Sequence, residues 1–121
     1  MRETANRSDT AGVSVADREN QAAAEKATKA QLAAQTEIDD LCWLMSDKRG
    51  RRFVWRLLER SGIYRTSFDG DALRMAFLEG QRNLGLTTMG QITQHCPDRL
   101  IEMQKEARAH ERRNDRSTSA R

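Results

Sequence analysis

Two sets of residues have the types and spacing to do more than pack. The first is a basic block: residues 48–65 hold Lys48, Arg49, Arg51, Arg52, Arg56, Arg60 and Arg65 against the single acid Glu59, a local net charge of +6. Within it Arg49, Arg52, Arg56 and Arg60 recur at steps of three and four, so on a helix they form one stripe. Such a stripe can track the phosphates of DNA or RNA. It can equally pair with the acids of a protein partner, or with Glu25, Glu37 and Asp40 of the same chain. The second set is Trp43 and Trp55, two of only six aromatic residues, each set beside the main apolar stripe of its helix. Either they clamp two helices together, or one stays exposed and anchors a partner.

Other chemistry is sparse. His95 and Cys96 are neighbours, and adjacent side chains on a helix diverge by about 100°. With only Cys42 and His110 besides, and no CxxC or HxxxH spacing, no metal centre is expected. Asp39 with Asp40, and Asp69 with Asp71, are paired carboxylates, but acid–base work needs a desolvated cleft, and these read as a solvated helix face and a cap. No glycine-rich phosphate loop, nucleophile elbow or metalloprotease helix occurs. The residues point to an interaction protein, with no enzymatic activity and no cofactor expected.

Helices must position these residues. From Asp17 to Met45 there is neither Gly nor Pro, and Ala is abundant, so a long helix is expected over residues 14–46, with Ser14 as its cap. Its large apolar residues gather near the end, at Ile38, Leu41, Trp43, Leu44 and Met45. The first half offers only Ala and Leu32, and so needs a partner or frays. Ser46 or Asp47 caps a second helix to about Arg60, with Phe53, Val54, Leu57 and Leu58 as its core face and Gly62 as a left-handed stop ahead of Ile63. A third helix starts near Asp71 and places Leu73, Phe77, Leu84, Met89, Ile92 and Cys96 at helical spacing. Gly80 and Gly85 within it predict a kink, a break or the close approach of another helix. Pro97 suits the first position of a fourth helix, which carries Leu100, Ile101 and Met103 and turns polar after Ala107, with order ending near Asn114. Val and Ile are too few for a sheet.

The fold expected is therefore all-α: a small bundle of about four helices, with a long Ala-rich N-terminal helix and disordered termini. The divisions are a tail over 1–13, the extended helix over 14–46, a helical core over 38–106 and a polar basic tail over 107–121. A chain of 121 residues that is 37% hydrophobic and 32% charged has one modest core at most. Its mean hydropathy of −0.83 agrees. Residues 1–40 are acidic, with five basic and eight acidic side chains, whereas residues 105–121 carry six basic and three acidic. Met1 to Asn20 contains no apolar run, so no signal peptide is expected. No stretch approaches the roughly 20 apolar residues of a membrane span. Folding in a reducing cytoplasm, without a structural disulfide, is the expectation.

Two blocks carry a family resemblance. The run Arg51-Arg52-Phe53-Val54-Trp55-Arg56-Leu57-Leu58-Glu59-Arg60-Ser61-Gly62-Ile63-Tyr64-Arg65-Thr66-Ser67-Phe68 is followed by Phe77-Leu78-Glu79-Gly80-Gln81-Arg82-Asn83-Leu84-Gly85-Leu86. In order and spacing they resemble the Bbp-nineteen-like family of small tailed-phage proteins, typified by a protein of a Bordetella phage. The similarity covers roughly residues 40 to 106. Tyr64 stands where the family usually has Phe. The resemblance implies phage origin, a gene near head genes and no known enzymatic activity.

By that context the chain is expected to be a minor virion protein, made in the host cytoplasm and bound in several copies, as a ring-like assembly, to the portal or another head protein. Packaged DNA is a possible second partner, and no membrane is involved. Two alternatives stay open: a DNA-binding accessory of packaging, and an internal protein ejected with the genome. Within the second block Glu79, Arg82 and Asn83 share one helix face beside Gly80. Arg82 is expected to hold Glu79, Asn83 to bond the backbone of the Tyr64 to Phe68 loop, and Gly80 to let that loop or another helix come close. The block then serves either as a clamp on the loop or as a docking site for a portal subunit.

Overall fold

Four helices follow one another with short connections in the computed structural model, which describes residues 12–119. We number them α1 (Val15–Ser46), α2 (Lys48–Ser61), α3 (Ala72–His95) and α4 (Pro97–Ser119). Among the described residues there is no strand. The tail expected over residues 1–13 lies, up to residue 11, outside the described residues.

The chain divides after Glu37 into two units. In the first, α1 begins where the Ser14 hydroxyl accepts a hydrogen bond from the Asp17 amide at 3.1 Å. Every residue from Val15 to Glu37 is exposed. Alanine propensity forms this stretch, since it has no buried apolar face.

The second unit, Ile38–Arg121, contains the core. Met45, Val54, Leu58, Ile63, Ile92 and Met103 are buried, and Leu41, Leu44, Trp55, Met89, Cys96 and Leu100 pack around them. The caps fall where chain chemistry puts them. Asp47 and Asp71 accept hydrogen bonds from the amides of Arg49 (2.7 Å) and Leu73 (3.0 Å). Gly62 closes α2 at φ 78°, a left-handed angle that an L side chain resists, and Ile63 folds back into the core.

Three expectations need correction. The core face of α2 is Val54 and Leu58, while Phe53 and Leu57 are about half exposed; consecutive residues diverge by about 100°, so one thin core cannot take all four. Gly80 and Gly85 do not interrupt α3, which is continuous. Gly85 does mark a close approach: an added Cβ would collide with the Ser61 hydroxyl and sit 2.6 Å from Ile63 Cγ2. Around Gly80 there is open space, so it admits neither loop nor helix. Finally, α4 runs on to Ser119, past Asn114. Asn114 Nδ2 lies 3.3 Å from His110 Nε2, and Thr118 Oγ1 donates to the Asn114 carbonyl at 2.9 Å, so polar side chains support the last turns.

Candidate partner-docking site

The α2 stripe forms as its spacing requires. Arg49, Arg52, Arg56 and Arg60 are all exposed, on the side of α2 away from Val54 and Leu58. Among the described residues none of the four enters an ion pair. Arg56 Nε makes only a long bond, 3.4 Å, to the Arg52 carbonyl.

The fifth arginine of this helix behaves differently, and its charge type hid it in the sequence. Arg51 is buried, at 7% exposure, on the core side of α2. Its Nε donates to both Glu106 oxygens (3.1 and 3.2 Å), its Nη2 to Glu106 Oε1 (2.8 Å) and its Nη1 to the Met45 carbonyl (3.0 Å). Glu102 adds a second carboxylate at 3.3 Å. The hydrogen bonds Arg51 donates to Glu106 raise the guanidinium pKa, burial opposes the rise, and the neighbouring carboxylates add to it, so the guanidinium stays charged. Gly50, next to it, is another residue the sequence reading passed over: a Cβ there would meet the Leu44 carbonyl oxygen.

Beside this pair a groove of about 730 Å³ runs between α2 and α4, with Trp55 and Met103 among its apolar lining and Lys48, Arg52, Arg56 and Arg113 among its cations. Trp55 Nε1 donates to Glu59 Oε1 at 2.7 Å, and its ring packs 5.8 Å from that of Tyr64. Trp55 is thus part of the bundle. Trp43 is not, being 76% exposed; the two tryptophans do not form a joint clamp.

A second apolar surface lies on α3. Leu73, Phe77 and Leu84 are 83%, 65% and 70% exposed, and with Gly80 they follow steps of four, three and four along one face. The motif residues are not joined as expected. No ion pair links Glu79 to Arg82, and Asn83 makes no bond to the loop; its carbonyl instead accepts from Thr87 Oγ1 at 2.9 Å. Glu79 and Arg82 line a shallow recess of about 510 Å³ facing Ile63, Tyr64, Arg65, Thr66 and Ser67. The recess is where the two sequence blocks meet.

Cys42 and Cys96 are both free and partly buried. The Cys42 thiol lies 3.9 Å from the His95 carbonyl. Burial, then the neighbouring Cys42, pushes the Cys96 thiol up from its ordinary value of 9.0. Among the described residues no group of three or more metal-ligating side chains assembles, and no helix there is long and apolar enough to cross a membrane.

A family model described as "Bbp19-like phage protein" matches residues 41–105, more than half of the chain. The chain belongs to this family. No curated protein and no solved structure matches it. The region shared with Bbp19-like phage proteins spans α2, α3, the loop between them and both walls of the motif recess. Most of α1 and the end of α4 lie outside it.

Proposed function

We propose that this Bbp19-like phage protein is a minor, non-enzymatic structural component of a tailed-phage particle, held in several copies at the portal or head interior. The observation that carries the reading is the amount of apolar helix surface that the fold leaves uncovered. Leu73, Phe77 and Leu84 on α3 and Trp43 on α1 all stand in solvent. A bundle of this size with so small a core gains by burying them against another protein. Mass spectrometry of purified particles tests this: the chain should be present at several copies per particle, and its absence would sink the reading.

One observation favours a second reading, a DNA-binding accessory of packaging. The four α2 arginines are exposed and free of ion pairs, as a phosphate-tracking row must be. On that reading the purified chain binds duplex DNA with an affinity that falls steeply with salt, and Arg52→Glu with Arg56→Glu abolishes it. Particle incorporation that survives the double substitution, with no DNA binding by the unaltered chain, decides for the first reading.

A further inference from the structure

The recess beside Arg82 contains an unanswered charge. Arg82 Nε is shielded from solvent and has no hydrogen-bond partner, and the side chain joins no ion pair among the described residues. A guanidinium has five N–H donors and no acceptor, and a shielded donor left unpaired is costly. The other lining groups suit an anion. Arg65 lends one Nη2 bond to the Glu59 carbonyl at 3.0 Å and keeps its remaining donors. Thr66 Oγ1 accepts from the Phe68 amide at 3.2 Å, which leaves its own hydroxyl proton to give. Ser67 adds a second hydroxyl. Two guanidiniums face one carboxylate, Glu79, so the lining carries a single net positive charge.

We infer that this recess receives one carboxylate, an Asp or Glu side chain of a partner protein, in a forked pair with Arg82 supported by Arg65 and the Thr66 and Ser67 hydroxyls. In such a pair Nε leaves its shielded position and, with one Nη, meets the two incoming oxygens, the geometry in which arginine binds carboxylates best. Charge selects a single carboxylate over a nucleic-acid strand. A strand brings a row of phosphates and wants a row of cations, whereas Glu79 stands in this lining and repels a second negative group. The exposed Tyr64 ring at the recess supplies the aromatic surface that accompanies arginine where proteins bind one another. This deepens the docking reading and rests on the chain being held by another protein.

The test uses Arg82→Lys introduced into the phage genome. Purified particles and infected-cell extracts are treated with a water-soluble carbodiimide, which condenses an amine with a touching carboxylate into an amide as the reagent takes up the water. Peptide mapping should find an amide from position 82 to an Asp or Glu of a different protein. The amide in extracts but not in particles keeps the carboxylate site and removes the virion reading. No such amide in either sample, or one only to this chain's own acids, overturns the inference. Arg82→Leu is the second arm. It should lower the copies retained per particle on the order of thirtyfold while the purified variant melts as a single folded species. Full retention of this variant, or release of the unaltered chain from emptied particles by nuclease alone, overturns the inference as well.

Discussion

Arg51 of α2 grips Glu106 of α4 across 55 positions of sequence, through three N–H···O contacts of 2.8 to 3.2 Å, and caps the Met45 carbonyl with the same guanidinium. One buried side chain thereby ties the end of α1, the start of α2 and the middle of α4. Arg51→Ala removes the charge that answers Glu106 and the donor that answers Met45, and should cost about 3 kcal/mol in urea unfolding followed by circular dichroism. Arg51→Met keeps the packed stem and should cost less. Equal losses for the two would mean that the hydrogen bonds alone matter.

The glycines of the bundle should split by what surrounds them. Gly50→Ala drives a methyl into the Leu44 carbonyl, and Gly85→Ala drives one into Ser61 and Ile63; each should destabilise by about 2 kcal/mol or more, since overpacking costs about 1–3 kcal/mol and backbone yields less than a side-chain tip. Gly80→Ala meets nothing and should stabilise by up to about 1 kcal/mol. Thermal denaturation checks the sign: Gly80→Ala should melt higher than the unaltered chain and the other two lower.

Much of this layout is legible in the sequence. Asp47, Asp71, Gly62 and Pro97 announce the helix ends by backbone chemistry alone, and the two motif blocks announce the family. What could not be read is what depends on distant partners. Arg51 is one of seven basic residues in its block, and only the fold shows that Glu106 faces it. The choice of Val54 and Leu58 over Phe53 and Leu57 depends on the direction from which α3 and α4 arrive. Glu79 and Arg82 have the spacing of a helical pair, yet they face the loop instead, because spacing permits a contact without ordering it.

Alkali should loosen the fold through Cys96. Its thiol pKa is raised in the folded state, mainly by burial, so the folded chain holds that proton more tightly than the unfolded one. The stabilisation is complete below the ordinary value of 9.0 and is lost as pH rises through the folded value. Melting temperature should therefore drop above about pH 9, and Cys96→Ala should flatten part of that drop. A Cys96→Ala curve parallel to that of the unaltered chain would remove the assignment. Tyr64, raised by burial and by Glu59, adds a similar fall at higher pH.

The exposed face of α3 should be expendable for folding and needed for docking. Phe77→Ser and Leu84→Ser change side chains that lie mostly in solvent, so stability should move by no more than about 0.5 kcal/mol each. Copies retained in purified particles, counted by quantitative mass spectrometry, should fall severalfold. Unchanged copy number in the double variant would show that this face is not used.

Of the four largest fully buried side chains, Met45, Leu58, Ile92 and Met103, two are methionines. A thioether is unbranched and polarisable, so such a centre re-forms around altered neighbours more readily than a branched one does. Its sulfur can be oxidised when the fold opens, and a sulfoxide is polar and bulkier than the thioether this centre is packed around. Prolonged exposure to peroxide should therefore lower the melting temperature of this chain, its centre being tolerant of altered neighbours and intolerant of an added oxygen.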